Sequence, residues 1–381
     1  MNDHTPAPPT ATRRTAVRGA LALGLAPLLL PGRAEAAPRA LVRARRKHFG
    51  AANVDRRTGA IRRDRVLLSW IGCAGFALAI DGEVLLLDAW IPRGIHGGRV
   101  PTSVAELAAL RPRAILIGHG HFDHAADAHR IAELSGAVVV GTAQHLAQVR
   151  AKASKRIRGL VVGDERDPHG TVRRARLGSI RLTAVRHPHS TPKPPDLSDP
   201  HLPLLPLPDP LTPLLHPPSL ADCAGLLTGL AGDAEGGSLL YQLRVPGFTL
   251  VWHDTVGPLK EDAPRVRRVL RRLPRPDVHV GAIQGFGQIT NGLRDVRHYV
   301  ADVGGTVFVP SHHDDWGAPL IASPASGYRG PLEAELRRIP AARRPHLRFL
   351  SDPHDYLRAD RLTFSRRRTR RAARRRRGRQ R

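Results

Sequence analysis

Four side chains able to hold a metal ion, His119, His121, Asp123 and His124, fall within six positions of the run Gly118-His119-Gly120-His121-Phe122-Asp123-His124. Neutral imidazole nitrogens and carboxylate oxygens suit borderline divalent cations such as zinc. The spacing sends successive donors in different directions, and the two glycines allow close approach, so a single loop can feed two ions. Further donors stand at the ends of other apolar runs. Leu182-Thr183-Ala184-Val185 leads to His187 and His189, Thr249-Leu250-Val251-Trp252 leads to His253 and Asp254, and Val307-Phe308-Val309-Pro310 leads to His312 and His313.

Those runs are the elements that must position the donors. Ala114 to Ile117 predicts a buried strand that ends at the histidine cluster. Before it, Val66–Ile71, Phe76–Ile80 and Glu83–Asp88 predict three strands, the last two joined by Asp81-Gly82, a pair that favours a type I′ hairpin turn. Ser103-Val104-Ala105-Glu106 is a capping box opening a helix through Leu110. Helices are predicted over 125–134 and 143–152, with strands over 137–140 and 179–185. A second hairpin spans 238–253 around Pro246-Gly247, followed by a helix over 264–273, a strand over 278–282, a helix over 293–303 and a strand over 306–310. Residues 191–220 break this order with alternating proline and leucine, which reads as an extended insertion loop whose leucines suit an apolar lid.

At 381 residues with 41% apolar content the chain is long enough to bury a substantial core. The formal net charge is +27, and lysine occurs only at 47, 152, 155, 193 and 260. Residues 361–381 read as a disordered tail whose eleven arginines from Arg366 onward carry no acid among them, suited to non-specific contact with polyanions. Residues 1–36 carry Arg13-Arg14, an apolar segment from Ala20 to Leu30 and Ala34-Glu35-Ala36, the pattern of a twin-arginine export signal with its cleavage site. The expected location is therefore outside the cell or at its surface. No stretch approaches the roughly twenty apolar residues of a membrane span, so the mature chain is expected to lack one. Residues 37–65 are basic without a clear period and read as an arm leading into a domain over 66–360. Cys73 and Cys223 allow a single disulfide in an exported chain; alternatively Cys73, in the strand-like run 67–80, reads as a small buried apolar residue, and neither cysteine has metal-ligand neighbours in sequence.

The order His-x-His-x-Asp-His, then a histidine, then an aspartate, then a last histidine resembles the metallo-β-lactamase superfamily, over about Leu67 to Trp316. Asp88 in Leu-Leu-Leu-Asp resembles its first motif. Trp70-Ile71-Gly72-Cys73-Ala74-Gly75-Phe76 resembles the branch that includes N-acyl phosphatidylethanolamine phospholipase D and ascorbate-6-phosphate lactonase. The resemblance implies an α/β fold, a single-domain four-layer αββα sandwich. It implies two divalent ions, zinc first with manganese or iron as alternatives: one held by His119, His121 and His189, the other by Asp123, His124 and His312, with Asp254 bridging and Asp123 also catalytic. His189 is preferred over His187 for its His-Ser pair, and His312 over His313 for its place directly after the strand. Asp88, His187, His253 and His313 then stand behind the ligands as orienting residues. The implied activity is hydrolysis of an ester, lactone or phosphodiester by water activated between the ions, on a small or lipid-like substrate. A nuclease and a non-catalytic polyanion binder are the alternatives; few aromatic residues are present to stack bases.

Overall fold

A computed structural model describes residues 38–91, 100–205, 214, 217, 220–314, 326–351 and 353–367. The export motif, residues 206–213 of the insertion and the tail from 368 onward lie outside the described residues.

Two seven-stranded mixed sheets make the frame. In chain order the first holds β1 (Arg65–Trp70), β2 (Phe76–Ile80), β3 (Glu83–Leu87), β4 (Ala114–Leu116), β5 (Val138–Gly141) and β6 (Gly159–Val161), with β14 (Thr363–Ser365) against the outer side of β1. The second holds β7 (Val172–Leu177), β8 (Ile180–Arg186), β9 (Leu239–Val245), β10 (Phe248–His253), β11 (Val278–Ala282), β12 (Val307–Ser311) and β13 (His346–Leu347), neighbours in that order. Asp81 and Gly82 both take positive φ (55° and 81°), so the β2–β3 turn has the geometry that their types predict.

Period-two alternation explains the layering. Ala184, Tyr241, Trp252 and Val309 face the first sheet and join Leu67, Leu85 and Leu116 in one core, while their neighbours Val185, Leu240, Val251 and Phe308 face the other way. That outer face is covered by α7 (Pro264–Arg272), α9 (Arg294–Val303) and α10 (Ser326–Arg337) through Leu270, Tyr299 and Leu332. Helices α1 (Arg39–Phe49), α2 (Val104–Ala109), α4 (Ala128–Ser135) and α5 (Ala143–Ala151) pack on the first sheet. The expected αββα sandwich is thus the fold of the chain. Strands buried on both faces read as continuous apolar runs, which is why 85–87 and 114–117 carry no polar alternation.

Several boundaries differ from the sequence expectation. The basic segment 37–65 is no arm: α1 turns Leu41, Ala44 and Phe49 inward and leaves its arginines at the rim. The period is weak in the sequence because only three buried apolar positions, with buried His48, stand among five cations. The ordered chain also continues past 361, since β14 pairs with β1, and Arg366 and Arg367 form ion pairs with Asp81 and Asp277. The helix predicted over 125–134 is two helices, α3 (Phe122–Ala125) and α4, so Asp123 and His124 sit on a helical turn. Within the insertion, residues 191–205 are held against α8 (Gln288–Asn291) and α9: Asn291 Oδ1 accepts from the Asp196 amide, and Asp196 pairs with Lys260 and Arg294. Its last residue opens α6 (Leu220–Gly232), a helix beyond the sequence expectation, whose run Leu-Ala-Asp-Cys-Ala-Gly-Leu-Leu-Thr-Gly-Leu-Ala-Gly contains three glycines that weaken its helical signal.

Candidate metal centre

Strands β3, β4 and β5 run parallel in one sheet, as do β10, β11 and β12 in the other. Their carboxyl ends meet at one edge, where open α/β sheets leave a crevice. The loop after β4 brings His119, His121, Asp123 and His124, the loop after β8 brings His189, the end of β10 brings Asp254 and the end of β12 brings His312.

These donors gather into touching groups. His119, His121 and His189 form one, with His119 Nε2 at 3.1 Å from His121 Nδ1. Asp123, His124, His312 and Cys73 form a second, in which Asp123 Oδ2 stands 3.1 Å from His124 Nε2 and 3.3 Å from His312 Nε2. Asp254 lies between them, its Oδ2 at 2.8 Å from His119 Nδ1 and 3.3 Å from His124 Nδ1. Asp254 Oδ1 is buried with no hydrogen-bond partner. A buried carboxylate oxygen with nothing to accept is costly, and a cation there would satisfy it, so these residues fit the ions that the motif implies.

Electrostatics point the same way. Burial, then neighbouring imidazoles, hold His119 well below its ordinary pKa; burial lowers His121, and burial followed by His121 lowers His189 to about 4. That trio is neutral at pH 7, the form that ligates. His124 behaves oppositely. Burial disfavours its imidazolium, but Asp123, Asp88 and Asp254 outweigh burial and raise its pKa well above the ordinary value. Several carboxylates converging on one dry spot draw positive charge there, by proton or by metal.

Asp88 orients the cluster from behind. Its Oδ1 accepts from the Gly118 amide at 3.0 Å and its Oδ2 stands 2.6 Å from His124 Nδ1. The other three residues expected behind the ligands have partners of their own. His187 Nδ1 meets the Tyr299 hydroxyl at 2.8 Å, His253 donates from Nδ1 to the Thr255 carbonyl at 2.9 Å, and His313 donates from Nε2 to the Leu350 carbonyl at 3.0 Å while stacking on Trp70. His187 and His313 therefore lie outside the ligand groups that His189 and His312 join.

Backbone closeness is part of the design. A Cβ on Gly118 would overlap the Asp254 carboxylate, so only glycine lets β4 and β10 bring their ends together. The amide of Gly120 donates to the Glu235 carbonyl at 2.7 Å, tying the histidine loop to the segment after α6.

Cys73 was missed. It lies in the β1–β2 turn, distant in sequence from the other donors, and its Sγ is 3.8 Å from Asp123 Oδ2. The available signal was its place between glycines at the end of a buried strand. Cys73 and Cys223 are both free thiols.

Residues 79–234 match the family model of the metallo-beta-lactamase superfamily. A UPF0173 metal-dependent hydrolase of Pyrobaculum neutrophilum is 40% identical over 85 residues, 22% of this chain and 36% of that protein. UPF0173 metal-dependent hydrolase RD1_1994 of Roseobacter denitrificans is 32% identical over 131 residues, 34% of this chain and 52% of that protein. The chain thus spans between about a third and about half of these curated relatives. Among solved structures, Igni18, a metallo hydrolase of Ignicoccus hospitalis, aligns over 75% of this chain and 95% of its own with a TM-score of 0.47 and 14% identity. The family-model match, which falls on the segment that carries His119 to His189, and the curated relatives support the metallo-beta-lactamase superfamily for this chain.

Proposed function

We propose that this chain is an exported metal-dependent hydrolase that binds two divalent ions and cleaves an ester, lactone or phosphodiester bond in a substrate with an apolar portion. The observation that carries the reading is the position of Asp254, a buried carboxylate with one oxygen unpartnered, between two groups of donors. His119, His121 and His189 would hold one ion, Asp123, His124 and His312 the other, and Asp254 would face both. Bound there, divalent ions supply Lewis acidity and lower the pKa of water. The chain's own residues supply orientation. Asp88 fixes the His124 ring, and the Gly120–Glu235 link keeps the loop from swinging outward.

The substrate class rests on what borders His189. The next residue, Ser190, accepts from the Phe286 amide at 3.4 Å, and Phe286 and Ile289 are exposed large apolar side chains. Leu204, in the described part of the insertion, donates to the Gln288 carbonyl at 2.9 Å, and its neighbours Leu202 and Leu205 are exposed. The Gly72-to-Phe76 turn adds its resemblance to the phospholipase D and lactonase branch. Export rests on the N-terminal pattern alone. Among the described residues no helix is long and apolar enough to cross a membrane.

The test is elemental analysis of the purified protein beside a panel of esters, lactones and phosphodiesters of graded chain length. Asp254→Ala should lose metal and turnover together, because nearby dications without an anion between them repel. A variant that kept two metals and its rate overturns the reading.

A further inference from the structure

We infer that Cys73 is a metal ligand, its thiolate joining Asp123, His124 and His312 around one of the two ions. The inference rests on the two-ion reading above, in which Asp254 faces both ions, and gives the two ions different donor sets: one with sulfur, from Cys73, and a second with imidazole nitrogens alone, from His119, His121 and His189.

Distances support it first. Zinc binds nitrogen and oxygen at about 2.0–2.2 Å and sulfur at about 2.3 Å, which in a tetrahedron separates donors by about 3.3–3.6 Å. The observed separations are 3.1 Å for Asp123–His124, 3.2 Å for His124–His312, 3.3 Å for Asp123–His312 and 3.8 Å for Cys73–Asp123. All four donor atoms lie within 4.8 Å of one another.

The backbone supports it independently. Cys73 has φ +50° and His312 has φ +58°, a left-handed region that disfavours a side chain and that glycine enters freely. These two strained residues are joined directly, since the His312 amide donates to the Cys73 carbonyl at 2.9 Å. That carbonyl also accepts from Trp70 Nε1 at 2.9 Å. The Cys73 amide donates to the Asp314 carboxylate at 3.0 Å, and Asp314 in turn accepts from the Tyr356 hydroxyl at 2.6 Å. Such anchoring holds a Cβ where glycine would be cheaper, and what the Cβ carries is a sulfur aimed at Asp123. Thiolate softness further biases that position toward zinc over manganese or magnesium.

The experiment is reconstitution of the full chain with cobalt(II) under anaerobic conditions, read by absorption. Wild type and Cys223→Ser should show a thiolate-to-cobalt charge-transfer band in the near ultraviolet, and Cys73→Ser should lose it while keeping visible ligand-field bands. Zinc affinity at that position should fall in Cys73→Ser by at least the roughly 10–100-fold that loss of an outer partner produces. Bound cobalt without the charge-transfer band in wild type, or an unchanged band in Cys73→Ser, overturns the assignment of Cys73 alone. A wild-type chain that binds no cobalt overturns the metal-dependent reading as well. The wild-type spectrum decides even where the serine variant fails to fold.

Discussion

Asp88→Asn keeps the size of the side chain and removes its charge and one of its two acceptors. Asp88 accepts two hydrogen bonds, from the Gly118 amide at Oδ1 and from His124 Nδ1 at Oδ2. Asparagine has one acceptor oxygen. If it faces His124, its amino group opposes the Gly118 N–H in a dry site, an unmet donor costing about 1–3 kcal/mol. If it faces Gly118, its amino group donates to His124 Nδ1 and moves the ring proton to Nε2, the atom that faces Asp123 and His312. Either arrangement weakens His124 as a ligand, and the corresponding loss is roughly 10–100-fold in affinity for the ion beside it, or about 1.4–2.7 kcal/mol. The metal-free protein should respond differently. Burial, then the Asp254 carboxylate, push the Asp88 carboxyl well above the usual range, so a neutral amide is tolerated there and offsets part of the cost of an unmet donor, leaving stability less affected than metal affinity. Competition with a chelator measures the affinities, nitrogen chemical shifts of His124 report the proton position, and denaturant melts of the metal-free chain measure stability. Two ions bound with wild-type affinity would refute the orienting role, and a metal-free protein that unfolds would reassign Asp88 to the core.

Gly118→Ala should lower metal content and melting temperature together, because the new methyl group displaces the Asp254 carboxylate and overpacking costs about 1–3 kcal/mol; an unchanged metal count by elemental analysis contradicts this. His145 titrates far from its ordinary value: burial lowers its pKa to about 4, its Nε2 donates to the Glu235 carbonyl and its Nδ1 accepts from the Thr142 amide. Its folded pKa is depressed, so its contribution is present above about pH 6.5 and is lost as pH falls toward 4, on the order of 2–3 kcal/mol between pH 7.5 and 4.5. His145→Gln keeps the cap without titrating, and denaturant melts at the two pH values should show that much less acid sensitivity. Replacing Arg13 and Arg14 by lysine should leave the protein unprocessed in the cytoplasm, and continued secretion on fractionation would contradict the export proposal.

What the sequence made legible was what strong local chemistry controls. The Asp81-Gly82 turn, the Ser103 cap and the apolar runs of β4 and β10 to β12 each have one physical solution, and each formed within a residue or two of its expected place. The missed elements share a weaker signal. β7, Val172-Arg-Arg-Ala-Arg-Leu177, is an edge strand whose outward arginines leave few apolar positions to mark its period. β14 is three residues long and exists only because β1 offers it an edge. α1 gains its stability from packing against α2 and the first sheet, a contact that no local pattern encodes.

The site divides along the same line. A dense cluster such as His119 to His124 announces itself because its donors are close in sequence, and the single residues His189, Asp254 and His312 become readable once the cluster fixes what they must join. Cys73 had no such company: 50 positions separate it from Asp123, and its only local mark was a glycine-flanked turn. Its role became visible through backbone geometry. Three of the six non-glycine residues with positive φ among those described, Cys73, Asp88 and His312, belong to this one site. Strain of that kind persists only where surrounding bonds over-determine it. Each of the three sits directly at a strand end or turn that points a donor, or the residue steering a donor, toward the same few cubic ångströms. The fold therefore concentrates its unfavourable backbone where ligand direction matters most, and Cys73 belongs with the ligands by that criterion as much as by its distance from Asp123.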